Sequence, residues 1–159
     1  MLNKKILWII LLAFLCFDNI FSYIAITKFN LKEGYPLGAY LVHGISPLLY
    51  FVFIPVSMIG IYLLVKATGW LAVKTEKNPK PDLQEASERI GLTSIVIAWG
   101  IGITSANLFV LINGMRPVLI GIWRYWMLAG VLLGVAYALY EDHKLKRKNN
   151  RLVLAGTST

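Results

Sequence analysis

The chain has 159 residues, of which 57% are hydrophobic and only 15% charged, with a formal net charge of +8 and a single cysteine. A soluble domain carries roughly 25% charged residues, so an ordinary water-soluble fold is excluded, and the positive charge is read as contact with anionic lipid headgroups rather than nucleic acid. With Cys16 alone, neither an intramolecular disulfide nor a multi-cysteine metal centre is possible within the chain.

Crossing a hydrocarbon layer about 30 Å thick takes roughly 20 helical residues. Inside that layer every backbone polar group must find its partner within the protein, so a long apolar run predicts a helix rather than an isolated strand. The first such run covers residues 6–27 and follows Lys4 and Lys5. Bulky Phe14 and Leu15 before Cys16, and apolar residues continuing to Ile26, fit a retained helix better than a cleaved signal. The link KFNLKEGYPLG follows, with a turn expected at Glu33 to Pro36.

The second run, residues 39–65, contains Pro47 and Pro55, each expected to bend the helix by removing a backbone donor. In the loop 66–89, Trp70, Leu71 and Val73 beside Lys74 and Lys77 predict a short interfacial helix. NPKPD ends it, and LQEASERIG begins a helical turn that feeds the third run, residues 90–112. The tight connection NGMRP leads to the fourth run, residues 118–140, and a basic tail occupies 141–159. The expected fold is a single all-α domain, a four-transmembrane-helix bundle.

Twelve Lys and Arg fall on the side holding both termini and the central loop, against three on the other side, with Arg124 inside a span. Positive loops are held in the cytoplasm, so both termini are expected there, in a multi-pass protein of the cell membrane. Small residues recur every four positions as Ala98, Gly102 and Ala106 in the third span and as Gly130, Gly134 and Ala138 in the fourth. Such rows let helix backbones approach closely, either joining these two spans or forming a seam with another copy or subunit.

At about 1.5 Å of rise per residue, Asp18 lies roughly 12 Å and Arg124 roughly 9 Å below the outer ends of their spans. His43 is about 6 Å down the second span, with Ser46 a turn deeper, and Asn107 about 8 Å down the third. Together with Asn19, these residues predict a polar layer in the outer half, to which each span contributes. Charges at such depth face the bundle interior and pair, so an Asp18–Arg124 ion pair is expected. The layer has three readings: a pair that sets helix register, a site for an anionic or polar ligand lined by Arg124, His43 and Asp18, or a surface meeting another subunit.

Catalytic and cofactor readings are weak. Ser46 stands three residues after His43 without an oxyanion donor, and Asp18, His43 and Glu33 have irregular spacing for a metal. His43 and His143 lie at opposite ends of the bundle, which argues against a haem held between them. No catalytic residue, metal or cofactor is assigned. The segment DNIFSYIAITKFNLKEGYPLG resembles a pattern in small archaeal and bacterial four-helix membrane proteins, in which an Asp in helix one precedes a Gly, Glu and Asn-Pro segment. Asp18 matches its first element, whereas Glu33, Gly34, Tyr35 and Pro36 differ in order and lack the Asn. The resemblance implies a compact integral membrane protein. The functional expectation is a non-catalytic accessory subunit partnered with other membrane subunits or a second copy; the alternative is a small carrier or ligand-binding membrane protein.

Overall fold

The computed structural model describes residues 3–30, 36–76, 79, 81–113 and 123–156. The described elements are helical: α1 (Lys4–Phe29), α2 (Pro36–Gly44), α3 (Leu49–Thr75), α4 (Leu83–Ile97), a π segment (Ala98–Thr104), α5 (Ser105–Ile112) and α6 (Trp123–Gly156). Among the described residues, three helices are long and apolar enough to cross a membrane: Lys4–Phe29, Leu49–Thr75 and Leu83–Ile112. The turn expected at Glu33 to Pro36 and the NGMRP connection lie largely outside the described residues.

Local chemistry sets the ends of α1. The side chain of Asn3 accepts a hydrogen bond from Lys5 N at 2.9 Å, satisfying one of the donors that a helix start leaves open. At the far end Asn30 takes a left-handed conformation, φ 52°, and its N–H bonds to Ala25 O. Asn enters this region more readily than β-branched or bulky residues do.

The apolar run at 39–65 is two helices instead of one bent helix. The chain breaks at residues 45–48, where Ser46 precedes Pro47 and its Oγ accepts from Leu48 N at 3.2 Å. Proline disfavours helical geometry in the residue before it and cannot donate to the preceding turn. Pro55, by contrast, is accommodated inside α3. The α3 helix also runs on to Thr75, so the separate interfacial helix expected after residue 66 is its last turns. Nothing between Lys66 and Thr75 breaks it, and the last turns hold no proline.

The core forms where α1, α3 and α4 meet. Leu7, Leu11 and Leu15 recur every four residues on α1 and pack with Ile61 and Val65 of α3 and Leu92 and Val96 of α4. Aromatic contacts set the directions. Trp8 meets Tyr62 at 6.2 Å and Tyr23 meets Phe51 at 5.3 Å between ring centroids, so α1 and α3 are antiparallel. Lys4 bonds Glu88 and Asp18 bonds Asn107, so α1 runs parallel to the helix from α4 to α5.

The two small-residue rows meet within the chain. A Cβ placed on Gly130 would lie 2.5 Å from Ala98 O and 2.6 Å from Gly102 N, and one on Gly134 would lie 2.6 Å from Ser94 O. The backbone of α6 therefore rests directly on the end of α4 and the π segment, antiparallel to them. Ala106 is buried on the same helix and Ala138 is half-buried on α6. Within the π segment the wider turn brings Ser105 Oγ to Gly100 O, five residues back, at 3.0 Å.

Candidate functional site

Polar side chains gather at two ends of the bundle. At one end, Asp18 Oδ1 accepts a hydrogen bond from Asn107 Nδ2 at 2.6 Å, joining α1 to α5 across a sequence separation of 89 residues. Both residues are half-buried. A hydrogen bond to a charged group is worth about 1.5–3 kcal/mol in soluble proteins, and measured values between membrane helices average nearer 0.6.

The other residues of the expected layer sit on α1, before α3, on α2 and at the start of α6. Asn19 is buried and turns back on its own helix, its Nδ2 donating to Leu15 O at 2.8 Å. Ser46 serves the start of α3 through Leu48 N. His43 on α2 is exposed. Arg124, also exposed, stands at the beginning of α6. Because α6 is antiparallel to α4, that beginning is at the Asp18–Asn107 end, where Phe109 and Trp126 have ring centroids 6.4 Å apart.

At the opposite end lies a cluster that the sequence reading did not contain. Glu88 of α4 is 2% exposed, yet it is a carboxylate. Its Oε2 accepts from Lys4 Nζ of α1, and Lys66 Nζ of α3 donates to Oε1 at 2.9 Å and Oε2 at 3.1 Å. Gln84 Nε2, one turn earlier, donates to Oε1 at 3.2 Å. The carboxylate thus ties three helices together, and its buried charge is compensated by two ammonium groups. Gly69 makes the approach possible: a Cβ there would lie 2.6 Å from Glu88 Cγ.

Lys66 reads from sequence as a loop cation because it follows the apolar run. Glu88 reads as part of the helical turn that feeds the third run, within the loop 66–89. The available signal was periodicity, since Glu88, Leu92 and Val96 are spaced by four and share a buried stripe. A lone carboxylate on such a stripe requires cations from neighbouring helices.

Among the described residues no group of three or more His, Cys, Asp or Glu could hold a metal ion. The chemistry on view is charge-assisted hydrogen bonding between helices. The Asp18–Asn107 bond leads to an expected result: in a double-mutant cycle of Asp18→Leu and Asn107→Leu, stability losses fall short of additive by about 1 kcal/mol. Additive losses, measured by thermal unfolding in detergent, would show that the bond contributes nothing.

The chain matches no protein-family model, no curated protein and no solved structure.

Proposed function

We propose that this chain is a small non-catalytic integral membrane protein that serves as an accessory subunit of a larger membrane complex. One observation carries the reading. The polar side chains with described partners between helices join the protein's own helices, whereas large apolar side chains cover its outward faces. On α3 these include Val56, Ile59 and Leu63, and on α6 Leu128, Leu132, Val135 and Leu139, all exposed. Only lipid or another membrane protein can cover such faces.

In this reading α6 is the fourth crossing, because it runs antiparallel along α4 and the π segment. Both termini are cytoplasmic, beside the lysine-rich end. Arg124 is the counterion of Asp18, supplied from the same end of the bundle. A carboxyl-terminal fluorescent tag that matures only in the cytoplasm reports the orientation and allows purification in mild detergent. The expected result is a fluorescent protein that migrates with one defined partner, crosslinked through photoreactive residues introduced at Ile59 or Leu132. A lone monomer with lipid adducts only, and host complexes unchanged by deletion, would reject the subunit role.

The second reading, a small carrier or ligand-binding protein, is favoured by the half-buried state of Asp18 and Asn107. It requires water access. After Cys16→Ser, a cysteine substituted for Asn107 would react with a membrane-impermeant thiol reagent if the carrier reading holds, and would stay protected in a sealed bundle.

A further inference from the structure

We infer that Lys4 and Lys66, held by Glu88, form a binding site for a phosphate group, which in the membrane is the headgroup phosphate of an anionic lipid. The inference rests on the membrane placement proposed above and is independent of the subunit role. Both ammonium groups donate to the same oxygen, Glu88 Oε2. They therefore stand within roughly 6 Å of each other, a spacing at which two donors can straddle one phosphate. Like charges are not normally held so close, and the buried carboxylate between them makes it possible.

The charge is not balanced inside the cluster. Two ammonium groups face one carboxylate, leaving one unit of positive charge, and Gln84 adds none. Each ammonium has three N–H donors, more than Glu88 uses. The carboxylate side chain is 3% exposed, while those of Lys4 and Lys66 are 28% and 43% exposed. The anion is thus sealed, whereas both of its cations keep part of their side chains exposed.

The position is also suitable. Lys4 begins α1 just before its apolar run, and Lys66 follows the apolar run of α3. Exposed Trp70 lies one turn further on, under the Lys74 ammonium at 4.6 Å, as expected of a side chain at the headgroup level. The Tyr62 ring, 5.9 Å from Lys66 Nζ, flanks the cluster on its apolar side. At such a boundary the abundant anions are lipid phosphates.

The test uses the full chain in nanodiscs of phosphatidylcholine with or without phosphatidylglycerol, reading lipid retention by native mass spectrometry. The wild type should retain phosphatidylglycerol roughly tenfold over phosphatidylcholine. Removing the lysines alone would strand Glu88, so the decisive variant is the triple Lys4→Gln, Lys66→Gln, Glu88→Gln, which keeps side chains of similar size and lowers the net charge by one. It should lose the preference. Lys5→Gln lowers the net charge equally from an exposed position and should retain it.

Inorganic phosphate added to protein in detergent probes the ammonium groups without a bilayer. Thermal stabilisation by phosphate in the wild type and not in the triple variant would support the site, and identify free phosphate as an alternative source of the same group. A preference that survives in the triple variant, or falls equally in Lys5→Gln, would overturn the inference by showing a diffuse field. Absence of both lipid preference and phosphate stabilisation in the wild type would overturn it outright. A protein that fails to enter nanodiscs yet responds to phosphate would instead count against the membrane placement and support the site.

Discussion

Replacing Lys4 and Lys66 together by methionine will destabilise this protein more than any comparable change on its exposed apolar faces. The double variant leaves Glu88 at 2% exposure with its carboxylate facing only Gln84 among the partners named above. A buried charge stripped of its counterions is strongly destabilising, because the cost of removing it from water is no longer offset. The unfolding midpoint in detergent should fall by roughly 10 °C. Adding Glu88→Met to the double variant should restore most of that loss, since replacing a buried ionic cluster by apolar groups of similar volume is often neutral. Equal midpoints for the double and triple variants would mean that Lys4 and Lys66 stabilise the bundle by packing and not by charge. Either lysine alone should matter less, because the other remains bonded to the same carboxylate.

The second large effect is expected at Gly130. A side chain there would meet Ala98 O, Gly102 N and, at 2.8 Å, Gly102 Cα. These are backbone atoms within a helix and cannot swing aside, so α6 itself must move. Overpacking in a tight interior costs about 1–3 kcal/mol, occasionally more. Gly130→Ala should lie within that range, and Gly130→Leu should separate α6 from the rest of the bundle. Separation can be followed with Phe109→Cys and Trp126→Cys in a Cys16→Ser background, joined by a short bifunctional reagent. Crosslinking should be efficient with Gly130 present and lost in Gly130→Leu. Gly60→Ala is the control: no neighbouring atom lies within 4 Å of the added Cβ, and an exposed alanine is a better helix former than glycine. Undiminished crosslinking in Gly130→Leu would show that α6 does not depend on this close approach.

These experiments bear on both clusters and on how the helices recognise one another. Asp18–Asn107 joins α1 to α5 at one end, and Glu88 joins α1, α3 and α4 at the other. Between them the leucine stripe of α1 and the small-residue contact of α6 supply shape without direction. Polar bonds at the two ends add directional contacts that an apolar interface lacks.

Much of this arrangement was legible before any coordinates. Apolar runs at 6–27 and 90–112 predict helices, and α1 and the α4–α5 helix contain them. Counting residues along each run places Asp18 and Arg124 at similar levels and puts His43, Ser46 and Asn107 in the same outer half. Matching opposite charges is the stronger sequence cue and points from Asp18 to Arg124, whereas the bond from Asn107 is visible only in the structure. Depth is one coordinate of three. Which side chains meet also depends on the angle around each helix and on which helices are neighbours.

The Glu88 cluster shows where that limit falls. Lys66 lies just outside an apolar run and Glu88 just before another, so hydropathy assigned both to a solvated loop. The extension of α3 to Thr75 and the early start of α4 at Leu83 carry both residues into the bundle. Similarly, the composition of residues 39–65 supports an unbroken span, while the geometry imposed by Pro47 divides it.

By itself, then, the sequence determined the solvent and the class of structure: its apolar runs exceed the membrane thickness, and lipid leaves a helix as the means of satisfying their backbones. It also determined which small residues permit close packing. Only the tertiary structure decided that Gly130 rests on Ala98 and Gly102, that Asn107 bonds Asp18, and that Glu88 gathers Lys4 and Lys66. Those choices depend on helix rotation and adjacency, properties of the packed bundle that no single apolar run contains.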